Sequence, residues 1–177
     1  YIFTFHNCLA SQQVFIEIGR GLVADPEWPK KAFEGRPEDI RKCINCNHCI
    51  GNRVWALLSM TCLQNPEVGH ESEWSELKPA EKKKKVMVVG GGPAGMEAAR
   101  IATLRGHDVT IYEKEKELGT QLKIAAAAPF KDRVNWVTEW LTHEIKKLNI
   151  KVELGKEVDI GIIKSFKPDV LIVATGA

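Results

Sequence analysis

"VMVVGGGPAGMEAAR", Val86–Arg100, decides the fold. A four-residue apolar run ends in three glycines, and Pro93 follows as a residue suited to the first turn of a helix. The spacing predicts a buried strand, a tight turn and a helix from about Pro93 to Arg105, with Gly106 as its stop. Gly90, Gly92 and Gly95 stand in a G-x-G-x-x-G frame. The next run, "DVTIYE" (Asp108–Glu113), reads as a second strand and ends on an acid. Strand, glycine frame, helix, strand and acid together form the context in which this motif binds dinucleotides. Gly90 permits the turn, Gly92 lets a pyrophosphate approach the backbone, and Gly95 lets helix and strand pack closely. The phosphates then meet free N–H groups at the positive end of the helix. Glu113 accepts from ribose hydroxyls, which favours an unphosphorylated ribose, as in FAD, NAD or ADP; Lys114 beside it works the other way.

Further along, apolar residues fall at Val134, Val137, Leu141, Ile145 and Leu148, which is helical spacing, with Trp140 beside the stripe. "IKVEL" and "DVLIVATG" are two more strands. Strands alternating with helices predict an α/β, Rossmann-like, doubly wound parallel sheet over residues 81–177.

Upstream, "CINCNHC" and a later cysteine give Cys43-x2-Cys46-x2-Cys49-x12-Cys62. Structural zinc sites mostly use two separated C-x2-C pairs. Three cysteines at successive three-residue steps suit a loop around one corner of a cubane, closed by a distant fourth thiolate, so a 4Fe-4S cluster is expected. Zinc is the alternative, and His48 inside the loop is then a possible ligand. Cys8 lies outside the frame and reads as a free thiol. The region 43–80 has little periodicity beyond "RVWALLSM", read as a helical turn, and ends in Lys82–Lys85, read as a solvated hinge.

Hydrophobic residues make up 44% and charged residues 27%, the composition of a soluble globular protein. A net charge of +2 gives no reason to expect nucleic acid or an anionic membrane as partner. No apolar run is long enough to cross a bilayer. The start, "YIFTFHNCLA", lacks Met and the pattern of a signal peptide, and reads as a cut end of a cytoplasmic protein. Four clustered cysteines of five do not form a secreted disulfide framework. Residues 1–42 contain "VFIEIG" (Val14–Gly19), a β-rich run, then the breaks Asp25-Pro26 and Trp28-Pro29, then a short helix near Pro37–Arg41. A lone strand needs partners, so this piece reads as padding or as the stump of something larger.

Three stretches carry a resemblance. "IEIGRGLVADPEWPKKAFEGRPEDIRKCINCNHCI", "CLQNPEVGHE" and "KVMVVGGGPAGMEAARIATLRGHDVTIYEK" together resemble the iron-sulfur branch of the Old Yellow Enzyme family. That branch includes trimethylamine dehydrogenase, histamine dehydrogenase and 2,4-dienoyl-CoA reductase. Pro93-Ala94 and "VATGA" (Val173–Ala177) are similar to dinucleotide domains of the flavin-disulfide-reductase type. The resemblance implies an oxidoreductase that passes electrons between FMN in a TIM barrel, a 4Fe-4S cluster and FAD or ADP. NAD(P)H or an electron-transferring flavoprotein then stands at the far end. It also implies a small-molecule substrate and a homo-oligomer in the complete enzyme. Residues 1–42 would be the C-terminal end of the barrel, 43–80 the iron-sulfur segment and linker, and 81–177 an incomplete dinucleotide-binding domain. Gly19 and Arg20 would touch the FMN phosphate, as the last strands of such barrels do. Gly90, Gly92, Pro93, Ala94, Gly95, Glu113, Lys114, Gln121, Thr175 and Gly176 would contact the dinucleotide, and Cys43, Cys46, Cys49 and Cys62 the cluster. The family's catalytic residues lie in the barrel, so none is named. Where the family has "GGQL" this chain reads "GTQL" (Gly119–Leu122), and the β-branched Thr120 leaves ADP open beside FAD. Two other readings stand beside this one. One is a zinc-clipped nucleotide-binding module without redox activity. The other is an electron-input subunit like the small subunit of glutamate synthase.

Overall fold

The computed structural model describes residues 18–74 and 76–176, with Asn52 described by its backbone alone. Most of the expected strand Val14–Gly19, and Cys8, lie outside the described residues. The chain forms two compact units, Tyr1–Glu73 and Trp74–Ala177.

The second unit is built on four parallel strands: β1 (Lys85–Val89), β2 (Asp108–Glu113), β3 (Lys151–Leu154) and β4 (Val170–Val173). Their order across the sheet is β3-β2-β1-β4. Val86 pairs with Val109 on one side and with Val170 on the other. The chain therefore steps outward from β1 to β3 and then returns to the opposite side of β1. This reversal is a topological switch point, and such sheets bind ligands at the carboxyl ends of the strands beside it.

The alternation of β1 and β2 puts Val86, Val88, Val109 and Ile111 on one face. Met96 and Ala99 of the helix Pro93–Leu104 pack there, as do Trp140, Leu141 and Ile145 of the helix Asn135–Lys147. The helix stop at Gly106 is as expected: its φ is +94°, and its N–H donates to Thr103 O. On the other face, Tyr112 meets the ring of Phe166 edge-on at 5.7 Å. Phe166 closes a short helix, Ile160–Phe166, so helices flank both faces. The doubly wound α/β fold is as read from the sequence.

Lys85 departs from the solvated hinge. It opens β1, its N–H donates to Asp169 Oδ2 at 2.7 Å, and its ammonium sits 3.9 Å from the centre of the Phe166 ring. Lys82, Lys83 and Lys84 are exposed, as expected.

Among its described residues the first unit has little regular structure. Gly19–Ala24 is a helical turn and a half, and Trp28–Phe33 is a second short helix. Pro29 therefore sits inside a first helical turn, where a missing N–H costs nothing, and does not break the chain. Pro37–Asp39 is a single 3-10 turn in place of the expected helix. Polar side chains hold these pieces. Asp25, 4% exposed, accepts from Arg41 N at 2.9 Å and pairs with Lys31 at 2.8 Å. Buried Asn65 accepts from Arg41 Nη1 and donates to Val23 O. Each such bond satisfies a group that burial would otherwise penalise. Among the described residues no helix is long and apolar enough to cross a membrane.

Candidate dinucleotide site and cysteine frame

The nucleotide loop leaves β1 beside the switch point. Gly90 has φ +109°, and a Cβ there would stand 2.3 Å from Ala174 O. Only glycine meets both demands. A Cβ on Gly95 would lie 1.9 Å from Gly90 O, so this residue lets the helix start against the turn. Gly92 differs, because a Cβ there would meet nothing within 4 Å. The loop is crowded toward the protein at Gly90 and Gly95 and open at Gly92, where the motif places a pyrophosphate. Gly92 caps the twelve-residue helix Pro93–Leu104, which carries no side-chain cap. Its first N–H groups are left for an anion.

Glu113 is buried, 8% exposed, at the end of β2. Its Oε2 accepts from Gly91 N at 2.6 Å and its Oε1 from Glu115 N at 2.9 Å. Each oxygen keeps an acceptor site. The carboxylate is thus fixed by the backbone with capacity left for ribose hydroxyls. Lys114 is exposed beside it.

Gly91, which lies outside the motif frame, joins three loops. Its N–H holds Glu113, its C=O accepts from Gly119 N at 2.9 Å, and a Cβ on it would strike Leu118 at 2.4 Å. Sequence reasoning passed over this residue; the run of three glycines is its one signal. Gly119 has φ +71° and opens the helix Thr120–Ala126, placing Thr120 and Gln121 in its first turn. The Gln121 amide lies 3.4 Å from where a Gly176 Cβ would be. The structure thus brings Gly90, Gly92, Gly95, Glu113, Gln121 and Gly176 to one end of the sheet. Pro93 and Ala94 open the helix there, and Thr175 precedes Gly176 on an exposed stretch.

The cysteine frame lies in the other unit. Ile40 to Asn47 has no regular structure, and a π-type turn runs over His48–Val54; the helical turn expected over Arg53–Met60 is only the end of that turn, with a plain turn at 55–57 and no regular structure at 58–60. Asn45 and Asn47 both lie in the left-handed region, with φ of 56° and 60°. Asparagine tolerates that region better than most residues. His48 Nε2 meets Thr61 Oγ1 at 3.0 Å, and Gln64 Nε2 donates to Lys42 O at 2.7 Å. These bonds join the neighbours of Cys49 to those of Cys62, and those of Cys62 to those of Cys43. The frame is thereby closed across its twelve-residue excursion. All four cysteines are free thiols.

Four thiolates in one segment, one for each iron, are a donor set that fits a four-iron cluster. Arg20 is half-buried, and its Nη1 donates to Asn47 Oδ1 at 3.4 Å.

Comparison with known proteins follows the same lines. Residues 64–177 match the pyridine nucleotide-disulphide oxidoreductase family. The chain belongs to that family. It is 52% identical over 164 residues to an NADH oxidase of Thermoanaerobacter brockii, covering 92% of this chain and 25% of that protein. Among solved structures, a 2-naphthoyl-CoA reductase complex superposes with a TM-score of 0.92 at 41% identity, covering 98% of this chain and 27% of that one. Histamine dehydrogenase from Rhizobium sp. 4-9 superposes at 0.87 with 33% identity, covering 97% of this chain and 26% of that one. The chain spans about a quarter of the length of the relatives it matches. The relatives are oxidoreductases, and they include the histamine dehydrogenase that the sequence resemblance pointed to. The resemblance to relatives of the Old Yellow Enzyme family is thus borne out.

Proposed function

We propose that this chain is the electron-transfer portion of an iron-sulfur flavoprotein oxidoreductase. In this reading Cys43, Cys46, Cys49 and Cys62 hold a 4Fe-4S cluster. The Gly90–Gly95 loop, Glu113, Gln121, Thr175 and Gly176 hold FAD by its ADP half. Residues 1–42 are the end of an FMN barrel, with Gly19 and Arg20 toward the FMN phosphate; 43–80 are the cluster segment, and 81–177 the dinucleotide domain. The observation that carries the reading is a four-thiol frame, closed by its own side chains, in a chain that also builds a glycine cradle at a sheet switch point. The likeness to an NADH oxidase at 52% identity favours electrons entering from NADH through FAD and leaving through the cluster toward FMN. In the amine-dehydrogenase direction that the sequence resemblance implies, the relay would instead end on an external flavoprotein. The oxidoreductase relatives speak against the zinc-clipped module without redox activity.

Anaerobic purification with iron, sulfide, zinc and flavin assays tests the proposal. Brown absorbance that bleaches with dithionite, about four irons per chain, and tighter binding of FAD than of ADP are expected. A colourless protein with one firmly held zinc would overturn it. Iron with ADP in place of FAD would keep the relay and move its far end to an external carrier.

A further inference from the structure

The four cysteines are not equivalent. Cys49 is 7% exposed and Cys43 and Cys62 are half-buried, whereas Cys46 is exposed. The local backbone accounts for the difference. Cys46 lies between Asn45 and Asn47, both left-handed, so the chain reverses hand on each side of it. Cys49 belongs to the turn His48–Val54, and Cys62 follows Thr61, which is bonded to His48. Cys43 follows Lys42, whose carbonyl is held by Gln64. Both neighbours of Cys46 are tied as well: Asn45 Oδ1 accepts from Cys43 Sγ at 3.5 Å, and Asn47 accepts from Gly51 N at 2.7 Å and from Arg20 Nη1 at 3.4 Å, yet Cys46 itself stays exposed. Three cysteines of the frame are wholly or partly screened, and Cys46 faces solvent.

We propose that Cys46 holds the labile iron of the cluster. Under one-electron oxidation that iron leaves, and the Cys46 thiolate becomes an accessible nucleophile. The inference rests on the cluster reading above. The step balances with ferricyanide as oxidant. The cluster core [4Fe-4S]2+ gives one electron to ferricyanide and becomes [4Fe-4S]3+. It then divides into [3Fe-4S]+ and Fe2+. The Fe–S bond to Cys46 breaks with its electron pair on sulfur, and the thiolate takes a proton or is alkylated. With iodoacetamide an S–C bond forms and iodide leaves. The remaining three thiolates stay on iron and are protected.

The test uses the whole 177-residue chain, purified anaerobically with its cluster. Unlabelled iodoacetamide first caps thiols outside the frame. Ferricyanide is then added, followed by isotopically heavy iodoacetamide, and the labelled peptides are mapped by mass. Released iron and the paramagnetic three-iron signal are read in parallel. The expected result is about one iron released per chain, the three-iron signal, and heavy label on Cys46 alone. Heavy label on Cys43, Cys49 or Cys62, or spread over all four, would overturn the proposal while leaving the electron-relay reading in place. A cluster that keeps all its iron would also overturn it. A purified chain with no iron and no sulfide would overturn both readings.

Discussion

Gly92 and Gly95 stand three residues apart in one motif and do opposite things. A methyl group on Gly95 would run into Gly90 O at 1.9 Å, and backbone has nowhere to go. Gly95→Ala is expected to cost roughly 1–3 kcal/mol of stability, the scale of overpacking. A methyl group on Gly92 meets nothing in the protein. Gly92→Ala is expected to cost at most about 1 kcal/mol as a poorer helix cap, yet to weaken FAD or ADP binding at least tenfold, about 1.4 kcal/mol. Urea unfolding and titration calorimetry on both variants check the pair. Equal loss of stability in the two would mean that the open side of the loop is not a phosphate seat. The glycine frame was legible because the motif states which residue needs which freedom. The bond from Gly91 to Glu113 and the close packing of Gly119 on Thr138 were not, because each joins residues about twenty apart whose meeting depends on the sheet.

Among the elements, legibility followed burial. The helix Asn135–Lys147 announced itself through its apolar stripe, and the structure buries Leu141 and Ile145 against the sheet. Ile145→Ala is expected to cost about 2–5 kcal/mol, and Glu139→Ala, on the exposed side, within about 0.5 kcal/mol. Thermal or urea unfolding distinguishes them. The helices Thr120–Ala126 and Ile160–Phe166 left little trace in the sequence, since the first buries only Ala126 and the second buries no residue. Without a core-facing stripe there is no period to read. The second helix did carry one signal, Asp159 at its cap, which accepts from Ile162 N at 2.7 Å. Asp159→Ala is expected to lose about 1 kcal/mol. Hydrogen exchange should rise across Ile160–Phe166 and not in β1. Uniform exchange across both elements would show that the cap has no local role. The π-type turn over His48–Val54 could not be read at all, because its sequence serves the cysteine frame and carries no helical pattern.

On the scale of the whole chain, the two units rest on different physics. Trp74–Ala177 has a continuous apolar core with Met87, Val88, Met96, Ala99 and Ile111 fully buried. Among the described residues of Tyr1–Glu73 the buried apolar side chains are Ala24, Trp28, Ile40, Cys49 and Val68, joined by the polar ties of Asp25, Arg41 and Asn65. If the four thiolates hold the proposed cluster, it staples these pieces, since metal-binding energy becomes folding energy. Stripping the metal with oxidant and chelator is therefore expected to unfold the first unit while the second stays folded. Adding FAD at a hundredfold over its Kd is expected to stabilise the second unit by about 2.7 kcal/mol, visible as a later transition in urea. Trp28 and Trp140 are buried one in each unit, so tryptophan fluorescence follows both events, and flavin fluorescence singles out the second. Two transitions with separate responses to metal and nucleotide are the expected outcome. A single transition that metal removal leaves in place would mean that the cysteine frame stands without its cluster.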